Sequence, residues 1–210
     1  SLGEQHMNPL KSIGGTIIAG FVLAIIIVLV TKGNHMVAGM TSQSLIIWLH
    51  VLAGVTWIGL LYYFNFVQVP ALAEAAGDEG GPGPAAIGKY VAPRALLWFR
   101  WAALVTWLSG AAFLGHKGQF VNAFMLGLNT DPINQYALTI GVGAWLGTIM
   151  LFNVWVLIWP NQKKVLGIVE ASADEVAKAK NIALLASRSN TLMSIPMDMS
   201  MVGAGHGWIM

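Results

Sequence analysis

Trp48-Leu49-His50-Val51-Leu52-Ala53-Gly54-Val55-Thr56-Trp57-Ile58-Gly59 carries no Asp, Glu, Lys or Arg and a single imidazole. It lies inside an apolar run at about 44–67, long enough for the roughly 20 residues a helix needs to cross hydrocarbon. Four more runs pass the same length test, at about 12–31, 94–116, 136–159 and 190–210. Only 10% of the 210 residues are charged and 56% are hydrophobic, against about a quarter charged in soluble domains. The expected fold is therefore all-α: a polytopic membrane helical bundle of about five transmembrane helices, with 1–210 forming a single integral membrane domain. The lipid bilayer is its first expected partner.

The formal charge of +2 follows the loops and forms no basic patch suited to many phosphates, so nucleic acid is not an expected partner. Cysteine is absent, which removes disulfides, thiolate metal sites, iron–sulfur clusters and covalent haem attachment through C-x-x-C-H. The first run is bracketed by Lys11 and Lys32, has no small-residue cleavage site, and reads as a retained helix. Between the runs, 74–93 contains Gly77-Asp78-Glu79-Gly80-Gly81-Pro82-Gly83-Pro84 and reads as an irregular loop. The connection at 161–189 is basic, and Ser172-Ala173-Asp174-Glu175 predicts a capping box opening a short surface helix. Cytoplasmic connections carry the excess of Lys and Arg. An inside amino terminus puts Lys11, Lys89, Arg94, Lys163, Lys164, Lys178, Lys180 and Arg188 inside and leaves Lys32 and Lys117 outside. The expected topology is N-in and C-out, in a bacterial inner membrane.

That topology sets depth. At about 1.5 Å per residue, His50 lies roughly 9 Å below the outer surface. His206, counted from a helix start near Asn190, lies about 24 Å up a core of roughly 30 Å. Two imidazoles at one depth are what a b-type haem between helices requires, with small residues beside them and polar groups near the interface for propionates. His50 and His206 are thus the candidate axial ligands. Gly54 and Gly203 flank them, and Trp48, Trp57, Trp107 and Trp208 are candidate ring neighbours. Lys32, His35, His116 and Lys117 are candidate propionate partners, with His116 the alternative axial ligand and His6 in an uninformative tail. The plainer reading is that these histidines only hydrogen-bond between helices and the glycines only permit close packing.

Arg100 is the one basic residue inside a run. Depth counting places Asp198 near it, and an intramembrane charge is costly unless paired, so an Arg100–Asp198 ion pair is expected. Asn65 and Asn153 fall at similar depth and join Arg100 as candidate catalytic residues. Gly143-Ala144-Trp145-Leu146-Gly147 is a G-x-x-x-G permitting close helix approach. Pro196 should bend the last helix. Met193, Met197, Met199 and Met201 read as packing. No nucleophile elbow, phosphate loop or zinc signature occurs, so hydrolytic and phosphoryl-transfer chemistry have no support.

Several ordered stretches carry a resemblance: Trp48-Leu49-His50 with Trp57-Ile58-Gly59, Trp98-Phe99-Arg100-Trp101 with Thr106-Trp107-Leu108-Ser109-Gly110, Gly147-Thr148-Ile149-Met150, Asn153-Val154, Pro160-Asn161-Gln162-Lys163-Lys164, and Ser189-Asn190-Thr191-Leu192-Met193-Ser194-Ile195-Pro196-Met197. Over about 45 to 206 the chain resembles the membrane domain at the amino terminus of bacterial cytochrome c-dependent urate oxidases, also called urate hydroxylases. The Trp-Leu-His…Trp-x-Gly part is also similar to small membrane-bound protoporphyrinogen oxidases that associate with haem. The resemblance implies an oxidoreductase setting with cytochrome c as electron acceptor. In that family a cytochrome c domain follows the membrane domain, and this cysteine-free chain is expected to lack it. The expectation is a haem b-binding electron-transfer protein working with a separate cytochrome c or with subunits of a respiratory or photosynthetic complex. A urate-oxidising membrane subunit and a noncatalytic accessory subunit are the alternatives.

Overall fold

The computed structural model describes residues 8–32 and 41–207. His6, His35 and Trp208, with the side chain of Lys32, lie outside the described residues. Every regular element among the described residues is helical. The chain divides into two compact units, Ser1–Leu45 and Ile46–Met210. In the first, the Asn8 side chain accepts from the Leu10 amide to cap a 3-10 turn at Pro9–Lys11, followed by α1, Ile13–Lys32. Ile17, Ile18, Phe21, Val22, Leu23, Ile25 and their neighbours leave α1 apolar on every side, and the helix has no buried face. A helix with no polar stripe suits lipid rather than water.

The second unit holds the bundle. Its elements are α2 (Ser42–Gly77) from Ile46 onward, α3 (Ile87–His116), a short α4 (Phe120–Phe124), α5 (Gln135–Val165) and α6 (Ala173–His206). Four contacts close a ring of antiparallel neighbours. His50 of α2 meets Thr106 of α3, Trp107 of α3 meets Thr148 of α5, Asn153 of α5 meets Asn190 of α6, and Tyr62 of α2 meets Ser194 of α6. The core between them holds Trp57, Leu61, Phe99, Met150 and Val154, all almost without exposure. A smaller cluster of Leu114, Ala123 and Ile140 fills the end where α4 sits.

Helices α2, α3 and α5 exceed the lengths expected from the apolar runs because each continues through a proline by widening one turn. The π-helical turns are Phe64–Gln68, Ile87–Val91 and Asn153–Ile158. In each, the residue just before a proline donates five residues back: Val69 to Phe64, Ala92 to Ile87, Trp159 to Val154. Pro70, Pro93 and Pro160 follow directly. A proline ring presses on the carbonyl four residues earlier, and a wider turn relieves that clash without ending the helix.

The last helix corrects two expectations. The capping box forms as read, with the Ser172 amide donating to Glu175 Oε2 at 2.8 Å and the Glu175 amide to Ser172 Oγ at 3.3 Å. It opens no short surface helix, however: α6 runs 34 residues from Ala173 through Pro196 to His206. Between Ala173 and Asn190 the chain has no Gly or Pro and many Ala, Lys and Leu, so nothing stops it. Among the described residues four helices, α1, α2, α3 and α5, are long and apolar enough to cross a membrane. The expected fifth span is not among them, because α6 carries Asp198 and a buried stripe containing Asn190, Ser194 and Ser200. Those polar groups face α2 and α5. Asn190 Nδ2 donates to the Met150 carbonyl at 3.0 Å, the Gly143 amide donates to Ser200 Oγ at 2.9 Å, and Ser200 Oγ donates to the Thr139 carbonyl. The G-x-x-x-G of α5 is the seam against α6: a Cβ on Gly143 would lie 2.7 Å from Ser200 Oγ.

Candidate functional site

His50 is half-buried on α2, on one stripe with Gly54, Trp57 and Leu61. Its Nδ1 lies 2.8 Å from the Thr106 carbonyl and 3.3 Å from Ser109 Oγ. A carbonyl can only accept, so Nδ1 carries the proton and the neutral ring keeps its lone pair on Nε2. Ser109 Oγ in turn donates to the Val105 carbonyl at 2.6 Å. The imidazole lies against Gly110, where a Cβ would come within 2.9 Å of Cε1. Gly110 thus makes the space that His50 occupies. Gly54 is less demanding: a Cβ there would make ordinary contact with Thr106 Cγ2 at 3.7 Å. Trp57 is 1% exposed, and its indole Nε1 is buried without a hydrogen-bond partner.

His206 ends α6, exposed, one residue before a left-handed Gly207 cap at φ 72°. Its Nδ1 lies 2.9 Å from the Val202 carbonyl of its own helix. The same logic leaves Nε2 as the free nitrogen of both rings, the arrangement in which backbone carbonyls orient ligating imidazoles. Gly203 is buried. His116 is exposed at the end of α3, beside Lys117, whose Nζ lies 4.8 Å from the Tyr136 ring centre. His50, His116 and His206 thus lie at one end of the bundle. From the Tyr62–Ser194 contact, His50 and His206 are each twelve residues away along antiparallel helices, roughly 18 Å in both cases. Beyond that contact His50 rests on α3, while Ser200 ties α6 to α5. Among the described residues no group of three or more His, Cys, Asp or Glu gathers as a metal cluster. Each imidazole keeps one nitrogen free as a donor, and among the described residues no third ligand gathers with them.

The opposite end holds the other candidates. Asn65 lies in the first π turn and Asn153 in the third, both buried and both directed at α6. Asn65 Nδ2 donates to the Leu61 carbonyl at 2.9 Å and to Ser187 Oγ at 2.8 Å. Asn153 Nδ2 donates to Asn190 Oδ1 at 2.8 Å. Asn65 Oδ1 and Gln68 Oε1 are buried acceptors without a hydrogen-bond partner. Arg100 does not join them. Its guanidinium lies over the Trp159 ring at 3.9 Å, and Lys163 approaches the same ring at 5.9 Å. The expected Arg100–Asp198 pair is absent among the described residues. Asp198 is exposed on α6 next to Met197, which faces Gly147, whereas Arg100 sits at the level of Trp155 and Trp159. Equal depth counted from helix starts failed because α6 starts 17 residues earlier than the apolar run suggested.

Residues 119–210 match the family model described as urate oxidase N-terminal. No curated protein and no solved structure matches. The stretch similar to the urate oxidase N-terminal family holds α4, α5 and α6, hence Asn153, the Gly143–Gly147 seam and His206. His50, Asn65 and Arg100 precede it. Thr106, Ser109, Gly110, Gln68 and Trp159 were not singled out from sequence as site residues. The proline two residues past each π turn was the available signal for Gln68, and none marked Gly110 as the seat of His50.

Proposed function

We propose that this chain is a membrane-embedded redox protein of the urate oxidase N-terminal type, with His50 and His206 as the axial ligands of a haem b. The observation that carries this reading is the His50–Thr106 hydrogen bond. It fixes the proton on Nδ1, holds the ring against Gly110, and leaves Nε2 as a ligating nitrogen. A bound b-type haem supplies one-electron transfer. His206, oriented by the Val202 carbonyl, offers the second nitrogen, and the small Gly54 and Gly203 beside the two histidines limit bulk. The electron partner is a separate cytochrome c or a respiratory or photosynthetic complex. The setting is a bacterial inner membrane, N-in and C-out, with the basic Lys163 end inside.

The test is a reduced-minus-oxidised optical spectrum of the purified protein. A b-type Soret and α band that disappears in His50→Ala and in His206→Ala supports the reading. A colourless, folded preparation contradicts it. A second reading, urate oxidation at Asn65 and Asn153 without Arg100, which turns to Trp159, is favoured by the family similarity and by the unpaired buried acceptors Asn65 Oδ1 and Gln68 Oε1. Urate consumption coupled to added cytochrome c decides it, and no turnover with a competent acceptor removes it.

A further inference from the structure

Between α3 and α5 runs an open, almost wholly apolar groove of about 600 Å³, a size within the roughly 300–1,000 Å³ of ligand sites. Leu104, Leu108, Leu151 and Phe152 line it, and Trp101 and Trp155 close its lower end in an edge-to-face contact at 5.3 Å. Below that pair the chemistry changes abruptly. Leu151, Trp155, Trp159 and Lys163 repeat every fourth residue down α5, which places Trp159 and the two cations on it, Arg100 at 3.9 Å and Lys163 at 5.9 Å, one turn and more beyond the Trp101–Trp155 pair and outside the groove's own lining. Among the described residues neither cation has a carboxylate partner.

We propose that this groove binds one anionic glycerophospholipid, its phosphate on Arg100 and Lys163 and an acyl chain along the apolar wall. Charge complementarity commits the occupant. An unpaired guanidinium at membrane depth is costly, so an anion must compensate it. Basic pockets between helices recognise anionic headgroups, whereas a zwitterionic headgroup brings an ammonium that the two cations repel. The length agrees: Thr148 and Lys163, at the two ends, are fifteen residues apart on α5, about 22 Å by helical rise, against roughly 20–22 Å for one leaflet with its headgroup region. The Trp159 ring holds the guanidinium by a cation–π contact at 3.9 Å.

The experiment uses the full chain purified in mild detergent, stripped of lipid, then given phosphatidylglycerol or phosphatidylcholine with matched oleoyl chains. Native mass spectrometry and thermal unfolding are the readouts. The expected result is one phosphatidylglycerol retained per chain in preference to phosphatidylcholine, with the larger rise in Tm. Arg100→Gln with Lys163→Gln should weaken phosphatidylglycerol binding roughly 25-fold, from roughly fivefold per cation removed, while Lys178→Gln leaves it unchanged. If the double variant does not fold, Leu104→Trp, which fills the groove and spares both cations, should lower retention instead. Equal retention of the two lipids, an unchanged preference in the variants, or the same Tm rise with glycerol phosphate alone would overturn the proposal.

Discussion

The two ends of the bundle handle buried polarity in opposite ways. At the His50 end a single imidazole is satisfied on one nitrogen by a backbone carbonyl and given room by Gly110, which leaves its other nitrogen available. At the Lys163 end, two π turns carry Asn65 and Asn153 to α6, where side-chain amides knit three helices together. The contrast separates a group that keeps one nitrogen free from groups whose hydrogen bonds tie helices together. Between helices in a membrane, close packing and interhelical hydrogen bonds act where apolar burial acts in water.

The largest effect should come from breaking the amide end. Asn190→Leu removes the bonds to Asn153 and Met150 and leaves the buried Asn153 amide without its partner on α6. A loss of about 2 kcal/mol in unfolding free energy is expected, measured by denaturant titration in detergent micelles. A change no larger than a surface substitution would place cohesion elsewhere. Next, Gly110→Ala pushes a methyl into the imidazole. It should cost about 1 kcal/mol through overpacking, and it should also shift or remove any haem band, which Asn190→Leu should leave in place where the protein stays folded. That double readout is the sharpest test of the division of labour.

Ser109→Ala should have a smaller effect, within about 0.5 kcal/mol, because the Thr106 carbonyl remains the nearer partner of His50. A large spectral change there would move the orienting role from Thr106 to Ser109. The smallest effect belongs to the start of α6, where the Ser172 amide and hydroxyl hold the Glu175 carboxyl below its usual value. A carboxyl depressed in the folded state stabilises above its unfolded pKa of about 4.3, and that contribution is lost as pH falls through the folded value. Wild-type stability measured from pH 6 to 3 should therefore decline slightly more than that of Glu175→Gln.

Much of this arrangement was legible in the chain. Apolar run length gave α1, α2, α3 and α5, and the G-x-x-x-G of α5 marked a close helix approach, which the structure gives to α6. His50 stood out because an imidazole in an uncharged run must find a partner. What was not legible depended on helix continuity and rotation. Depth counting treated Asn190 as a helix start, yet the capping box at Ser172 already began that helix and no breaker ended it. Depth also says nothing of azimuth: Arg100 turns to Trp159 while Asp198 faces outward, so their charges do not meet. The contact of His50 with Gly110 joins residues sixty apart, set by how α2 and α3 pack rather than by any local pattern.

The most direct measurement is the reduced-minus-oxidised spectrum of the wild-type protein beside His50→Ala and Asn190→Leu, all checked for folding by circular dichroism. The account predicts b-type bands in the wild type and in folded Asn190→Leu, and their loss in His50→Ala. Bands that survive His50→Ala unchanged, or a folded wild-type protein with no bands, would contradict it.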